Sequence, residues 1–237
     1  METRKPMQHI EHSCFIVMFL VLFSPHCFSL PLTKISIPVQ SLTREALLTI
    51  PNRGSSEPAP VVFAFHGHGG SMQMAESKFH CETLWPEAIV VYPQGLPTAG
   101  GVVDPEGRLP GWQLNIGDNE DRDLFFFDRL IDYLHSNYRI DDKRIFVVGH
   151  SNGAVFAYLL WAARQEKIAA IGAIAGIIPT KVDRSKLKPL PVFHAGGRND
   201  PIVKYPWQSD SIDFIKSRNE CIDPPQVIDT YLNIYTS

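Results

Sequence analysis

The chain has 237 residues, of which 44% are hydrophobic and 20% charged, a composition typical of one compact domain with a substantial core. Its formal net charge is −3, and it contains no run of Lys or Arg. The sequence therefore lacks the basic surface that nucleic acids or anionic membranes require, and we predict neither partner. A neutral or weakly charged small-molecule or polymeric substrate is expected instead.

Residues 1–29 have the pattern of a secretory signal peptide. A basic start precedes the apolar run Cys14–Phe23, and a polar boundary places the cleavage site after Ser29. The apolar run is too short to span a bilayer. We expect a secreted or periplasmic protein with its mature domain at residues 30–237 and no stable membrane span after cleavage, although acidic residues near the start leave a retained anchor as the alternative.

Two cysteines, Cys81 and Cys221, remain after the predicted cleavage. An exported protein can pair such cysteines, but their separation along the chain does not give their distance in space. A disulfide and two free thiols both stay open. No cysteine or histidine spacing of the zinc type is present, so no metal or cofactor is predicted.

Apolar runs alternate with helical segments along most of the chain. The segment Thr33–Ile50 alternates as a hairpin does, and the Gly/Pro-rich loop 94–117 is long enough to be functional by length alone. Further strands are predicted at 61–65, 88–92, 144–148, 168–174, 190–194 and 227–234, and helices at 72–84, 122–138, 154–161 and 207–218. This order predicts an α/β fold with a mostly parallel sheet and helices on both faces.

Ser151 is the candidate nucleophile. It stands in Gly149–Gly153, at the sharp turn between an apolar strand and an apolar helix. A nucleophile elbow needs glycines at this spacing because the strained serine backbone brings neighbouring positions into close contact. A plain helix N-cap is the alternative role for the serine.

Acyl transfer also needs oxyanion donors and an acid that orients the base. The elbow supplies the backbone N–H of Asn152, and the glycine-rich turn 66–70 supplies that of His68, whose imidazole we take to be incidental. An ordinary strand-to-helix turn is the alternative for 66–70. Asp200, in a loop after a later predicted strand, is the candidate acid, with a turn aspartate before proline as the alternative.

These residues stand within longer stretches that resemble the α/β-hydrolase esterases of the polyhydroxybutyrate-depolymerase and feruloyl/acetyl-xylan-esterase group. The similar stretches are 66–70, 91–95, 111–112, 121–134, 138–141, 143–152 and 196–203. The resemblance implies an α/β-hydrolase fold, Ser151 as nucleophile, Asp200 as triad acid, and His68 and Asn152 as oxyanion donors. It also implies an exported hydrolase of polyester or plant-wall acyl esters.

The chain differs from these esterases in the triad histidine. Esterases of this kind follow the order Ser, Asp, His, but none of the nine histidines lies after Asp200. We interpret this as a C-terminally incomplete domain that lacks a strand, a histidine loop and a closing helix. Among upstream histidines, His150 is expected to face away from the site and His194 to be packed, while His66 and His68 come closest to its mouth.

Two further features have alternative interpretations. Trp112, in the long loop, is the candidate aromatic contact for substrate, and a loop anchor is the alternative. The acidic residues between 118 and 123 suggest calcium, but capping of the following helix explains them better. The overall prediction is a serine carboxylic ester hydrolase; a non-catalytic binding protein on the same fold and a serine peptidase are the alternatives. Neither the ester nor the oligomeric state follows from the sequence.

Overall fold

The computed structural model describes residues 31–51, 57–101, 103–222, 225–227 and 233–236. The predicted signal peptide and its cleavage site lie outside these residues. The main sheet has seven strands in the order β1-β2-β4-β3-β7-β8-β9. Its strands are β1 (Leu32–Val39), β2 (Leu42–Thr49), β3 (Ala59–Phe65), β4 (Ile89–Pro93), β7 (Ile140–His150), β8 (Ala170–Ile174) and β9 (Val192–Ala195). Two short strands of the long loop, β5 (Leu96–Pro97) and β6 (Pro110–Gly111), pair antiparallel with each other outside this sheet.

The sheet is antiparallel at one edge and parallel over the rest. Strands β1 and β2 form the predicted hairpin, and β2 is antiparallel to β4. Strands β4, β3, β7, β8 and β9 run parallel to one another, so their carboxyl ends meet at one edge. In such a sheet, loops at the carboxyl ends of the strands build the functional site. The predicted α/β-hydrolase sheet is confirmed.

Helices cover both faces of this sheet. They are α1 (Met72–Phe79), α2 (Cys81–Leu84), α3 (Arg122–Asn137), α4 (Asn152–Arg164) and α5 (Tyr205–Arg218). Along β3, Phe63 packs with α3 and α4 on one face, while Val62 and Ala64 pack with α1 on the other. This alternation follows from the period of two in a strand and explains why β3 is apolar at every position.

Two predicted elements differ from the structure. The helix predicted at 72–84 is two helices, because His80 adopts a left-handed conformation with φ of 44° between α1 and α2. The strand predicted at 227–234 is wrong as a single strand. Its ends belong to two short strands, β10 (Gln226–Val227) and β11 (Asn233–Ile234), which pair antiparallel with each other outside the main sheet.

The cysteine question is settled within the described residues, where Cys81 and Cys221 are both free. Burial raises the pKa of the Cys81 thiol to about 11, so this thiol stays protonated at neutral pH. Across the part of the chain that the structure describes, no helix has both the length and the apolar character needed to cross a membrane.

Candidate active site

Ser151 occupies a strained turn between β7 and α4. Its φ of 54° and ψ of −120° lie outside the regions that residues other than glycine normally adopt. A methyl group on Gly149 would lie 2.2 Å from the carbonyl oxygen of Gly153, and one on Gly153 would lie 2.4 Å from that of Phe65. Gly149 is therefore required for the start of α4 to pack against the end of β7, and Gly153 for α4 to pack against the end of β3. Ser151 remains only half-buried.

The turn at 66–70 lies directly against Ser151. A methyl group on Gly67 would lie 3.4 Å from Cβ of Ser151 and 3.0 Å from Nδ1 of His150. Within the described residues, the backbone N–H groups of His68 and Asn152 have no hydrogen-bond acceptor. Two free N–H donors thus come from the two segments that flank the serine, one of them at the N-terminus of α4, where the helix dipole favours negative charge.

The side chain of Asn152 fixes the long loop. Its Oδ1 accepts the N–H of Trp112 at 2.7 Å, and its Nδ2 donates to the carbonyl of the same residue at 3.0 Å. Trp112 is fully buried; its ring stacks on Phe156, and its indole N–H donates to the carbonyl of His66 at 2.9 Å. The predicted substrate contact by Trp112 is therefore wrong, because the ring anchors the loop and offers no surface to a ligand.

Asp200 lies in the turn after β9. One carboxylate oxygen, Oδ1, accepts the backbone N–H groups of Ile202 and Val203, each at 2.9 Å. The other oxygen makes no hydrogen bond within the described residues. Burial and the ammonium of Lys78 lower the pKa of His150, and the carboxylate of Asp200 opposes them. Asp200 therefore lies within electrostatic range of the residue that precedes Ser151.

Two upstream histidines have both ring nitrogens engaged. Burial lowers the pKa of His66, whose Nε2 accepts the N–H of Gly95 at 2.9 Å while Nδ1 lies 2.7 Å from the carbonyl of Gly67. The ring of His194 contacts the Tyr158 hydroxyl at 2.8 Å and Oε1 of Gln208 at 3.4 Å. These contacts give both rings structural partners.

A buried ion pair behind the loop was not predicted from the sequence. Arg44 and Asp123, with side chains that are 0% exposed, are joined at 2.9 Å. Arg44 also donates to the carbonyl of Gln94, and Asp123 accepts the N–H of Gln113. Because this pair binds both halves of the loop, Asp123 is explained without calcium. Nearby Asp121 accepts hydrogen bonds from the Gln113 side chain and the Gly117 N–H.

One group among the described residues has metal-ligand atoms close together. Glu76, His80 and Glu82 each offer one such atom, and these atoms lie within 4.8 Å of one another. Glu82 already accepts a hydrogen bond from the hydroxyl of Tyr92, and His80 is exposed. Glu76 lies on α1, Glu82 on α2 and His80 between the two helices, and acyl transfer at Ser151 does not need this group.

The comparison with known families agrees with this geometry. Residues 49–224 match the model of the phospholipase/carboxylesterase family. The match covers most of the chain, and the chain belongs to this family of α/β-hydrolases. The predicted resemblance to α/β-hydrolase esterases is thereby confirmed.

Curated relatives include an acetylxylan esterase/xylanase and a probable feruloyl esterase. The chain is 29% identical over 178 residues to a bifunctional acetylxylan esterase/xylanase of Neocallimastix patriciarum, covering 74% of this chain and 24% of that protein. It is 23% identical over 188 residues to a probable feruloyl esterase C of Aspergillus niger, covering 77% of this chain and 66% of that protein. The chain thus spans less than two thirds of the length of both relatives.

A solved structure has the same fold. A ferulic acid esterase of Anaeromyces mucronatus, determined with ferulic acid, superposes with a TM-score of 0.58 at 18% identity, over 80% of each chain. At this identity the likeness establishes the fold only. The family match, and not this likeness, carries the assignment to the phospholipase/carboxylesterase family.

Proposed function

We propose that this protein hydrolyses carboxylic esters through Ser151, and that its substrates are acyl esters such as the acetyl or feruloyl esters named for its relatives. The observation that carries the proposal is the strained turn at Ser151, with φ of 54°, at the carboxyl edge of a parallel sheet. Such strain is costly and is retained where it serves to present a side chain. An exported location is part of the proposal.

In the proposed reaction, Oγ of Ser151 attacks the ester carbonyl and the N–H groups of His68 and Asn152 receive the oxyanion. The tetrahedral intermediate expels the alcohol and leaves an acyl-enzyme, which water then hydrolyses. Backbone donors aimed at the developing charge are effective because they need no reorganisation during the reaction. The two donors flank the serine from independent segments.

The base for this reaction is an imidazole between Ser151 and Asp200. In a triad, the acid reaches the serine only through a histidine, which takes the serine proton and returns it to the leaving group. The free Oδ2 of Asp200 is available to orient such a ring. No histidine follows Asp200 in these 237 residues, so we expect a chain of these residues alone to turn over slowly.

This role of the base suggests a chemical-rescue experiment. Hydrolysis of p-nitrophenyl acetate is measured with and without added imidazole, and the rate of the Ser151→Ala variant is subtracted as the background of free imidazole. Without a triad member, turnover falls by roughly 10⁴ to 10⁶-fold. We expect imidazole to restore a saturable rate that depends on Ser151 and is lost again in Asp200→Ala.

The outcomes separate the alternatives. A non-catalytic binding protein would show no Ser151-dependent rate at any imidazole concentration. Strong Ser151-dependent turnover without imidazole would contradict the expectation that the base is missing. An upstream histidine would then have to act as the base. A parallel assay with a p-nitroanilide distinguishes a peptidase from an esterase.

A further inference from the structure

The imidazole of His68 is more constrained than a surface side chain of a turn. Its Nε2 lies 3.1 Å from Oδ2 of Asp104, and both side chains are only 9% exposed. The same oxygen of Asp104 accepts the backbone N–H of Leu109 at 2.8 Å. Asp104 therefore joins His68 to the backbone of the long loop at Leu109.

The protonation of this pair follows from its chemistry. The N–H of Leu109, with the His68 hydrogen bond in addition, lowers the pKa of the Asp104 carboxyl, which is ionised at neutral pH. A carboxylate only accepts hydrogen bonds, so Nε2 of His68 carries the proton. The other ring nitrogen, Nδ1, is buried and has no hydrogen-bond partner within the described residues. A buried polar atom without a partner requires an explanation.

Two glycines of the long loop enclose the ring. A methyl group on Gly100 would lie 2.6 Å from Cε1 of His68, and one on Gly111 would lie 2.6 Å from Nδ1. The methyl on Gly111 would also lie 3.0 Å from Oδ1 of Asn152, so the ring lies close to the first residue of α4. Because no Cβ fits at either position, the loop backbone closes directly on the imidazole.

We propose that His68 and Asp104 form a positioning pair that holds the backbone N–H of His68 toward Ser151. The pair fixes the turn 66–70 to the long loop, and Asn152 fixes the same loop to the elbow. This inference rests on the proposed function, since the pair positions a catalytic group only if the backbone N–H of His68 is an oxyanion donor. It replaces the expectation that the imidazole is incidental.

A rescue series tests the positioning role with the complete chain. In the imidazole-supported assay, Asp104→Ala is expected to lower kcat by about 10 to 100-fold and leave KM near its wild-type value, because misplacing a catalytic group acts on the transition state. Asp104→Asn is expected to restore most of kcat, since its amide oxygen accepts the same two N–H groups.

A second His–Asp pair provides the matched control. Nε2 of His135 lies 2.7 Å from Oδ1 of Asp142 at the exposed end of α3. The variant His135→Ala removes the same kind of contact and is expected to leave kcat unchanged. Wild-type kcat in Asp104→Ala, or an Asn variant no better than Ala, would overturn the proposal.

A double-mutant cycle tests the enclosure of the ring without any activity measurement. Gly100→Ala is compared in the wild-type chain and in His68→Ala by denaturant unfolding. The three atoms nearest to the added methyl all belong to the His68 ring. The substitution is therefore expected to destabilise the wild-type chain and to cost nothing further once the ring is removed. Equal costs in both backgrounds would contradict the enclosure.

Proton–nitrogen NMR of the His68 ring separates this inference from the proposed function. In the wild-type chain we expect the ring proton of His68 to stay on Nε2. In Asp104→Ala we expect this proton no longer to be held on Nε2. If Ser151-dependent hydrolysis is absent while this tautomer and the cycle are as expected, the function fails and the pair is structural only. If hydrolysis is present and the tautomer is not fixed, the positioning proposal fails alone.

Discussion

Ser151 and Asp200 follow strands of the same sheet, but their surroundings differ in packing. Ser151 follows β7, an interior strand, and the helix after it places Phe156 in the core at 0% exposure. Asp200 follows β9, the last strand of the sheet, where Phe193 is 55% exposed and Trp207 is 54% exposed. Ser151 is thus positioned by the core, whereas Asp200 is positioned mainly by hydrogen bonds of its own turn.

This difference has a physical consequence for the site. Close packing on both faces leaves the serine turn few alternative conformations, so its strain persists without a ligand. The acid turn has fewer neighbours and is held by the two N–H groups that bind Oδ1 of Asp200. We therefore expect equivalent substitutions on the two sides to differ in effect, and three matched pairs test this expectation.

Glycine substitutions give the largest expected contrast. A methyl on Gly153 would lie 2.4 Å from the carbonyl oxygen of Phe65, whereas the atom nearest to a methyl on Gly197 is 3.8 Å away. We expect Gly153→Ala to lower the free energy of unfolding by roughly 3 kcal/mol, because backbone on both sides must move. Gly197→Ala is expected to change it by less than about 0.5 kcal/mol. Denaturant unfolding measures both, and equal effects would contradict the packing argument.

Two asparagines give the second contrast. Asn219, after α5, binds the backbone of Leu190 at 3.0 and 2.7 Å just as Asn152 binds that of Trp112 at 2.7 and 3.0 Å. Either alanine variant removes two hydrogen bonds, so we expect each to cost about 2 kcal/mol of stability. Only Asn152→Ala is expected to lower kcat in the rescue assay, because its partner loop forms the site.

The asparagine pair also allows a finer test. Asn152→Asp retains an oxygen that accepts the Trp112 N–H but places a second oxygen against the Trp112 carbonyl. We expect the free energy of unfolding and the kcat of Asn152→Asp to be no higher than those of Asn152→Ala. Denaturant unfolding and the rescue assay measure these two quantities. An aspartate variant with wild-type kcat would mean that the amide contact does not position the loop.

The sequence predicted the elbow because its signals are local. Gly149, Ser151 and Gly153 lie between a strand and a helix whose apolar runs can be recognised within a few residues. The strand pattern of the sheet was predictable for the same reason. The left-handed residue His80 was not, because the helical pattern continues on both sides of it.

The contacts of the long loop could not be predicted in the same way. Arg44 pairs with Asp123 from a distant strand, and no periodic pattern connects the two residues. Trp112 was misassigned because a tryptophan in a glycine-rich loop can either anchor the loop or contact substrate. Only its packing against Phe156 in the core shows that it is an anchor. The role of His68 depended on Asp104, whose spacing from it has no recognised pattern.

Two aspartates that form ion pairs, Asp128 and Asp210, give the third and smallest contrast. Asp128, on α3, binds Arg164 at 2.7 Å and Lys167 at 2.8 Å, tying α3 to the helix that begins after Ser151. On the acid side, Asp210 of α5 binds Arg184 at 2.7 Å but has a side chain that is 64% exposed. Burial opposes ionisation of Asp128, but the hydrogen bonds and charges of Arg164 and Lys167 outweigh it, so its pKa is lowered.

The direction of this shift fixes the pH dependence. Because the folded-state pKa of Asp128 is below its unfolded value of about 3.9, its contribution to stability is present above that value and is lost as the pH falls through the folded pKa. We expect Asp128→Asn to cost about 1 kcal/mol at neutral pH and progressively less as the pH falls through the folded pKa of Asp128. Asp210→Asn is expected to cost much less at neutral pH, since exposed pairs are screened by solvent. Urea unfolding at several pH values measures the free energy of unfolding of both variants. A cost of Asp128→Asn that stays constant down to acid pH would mean that the charge of Asp128 does not hold α3 to α4.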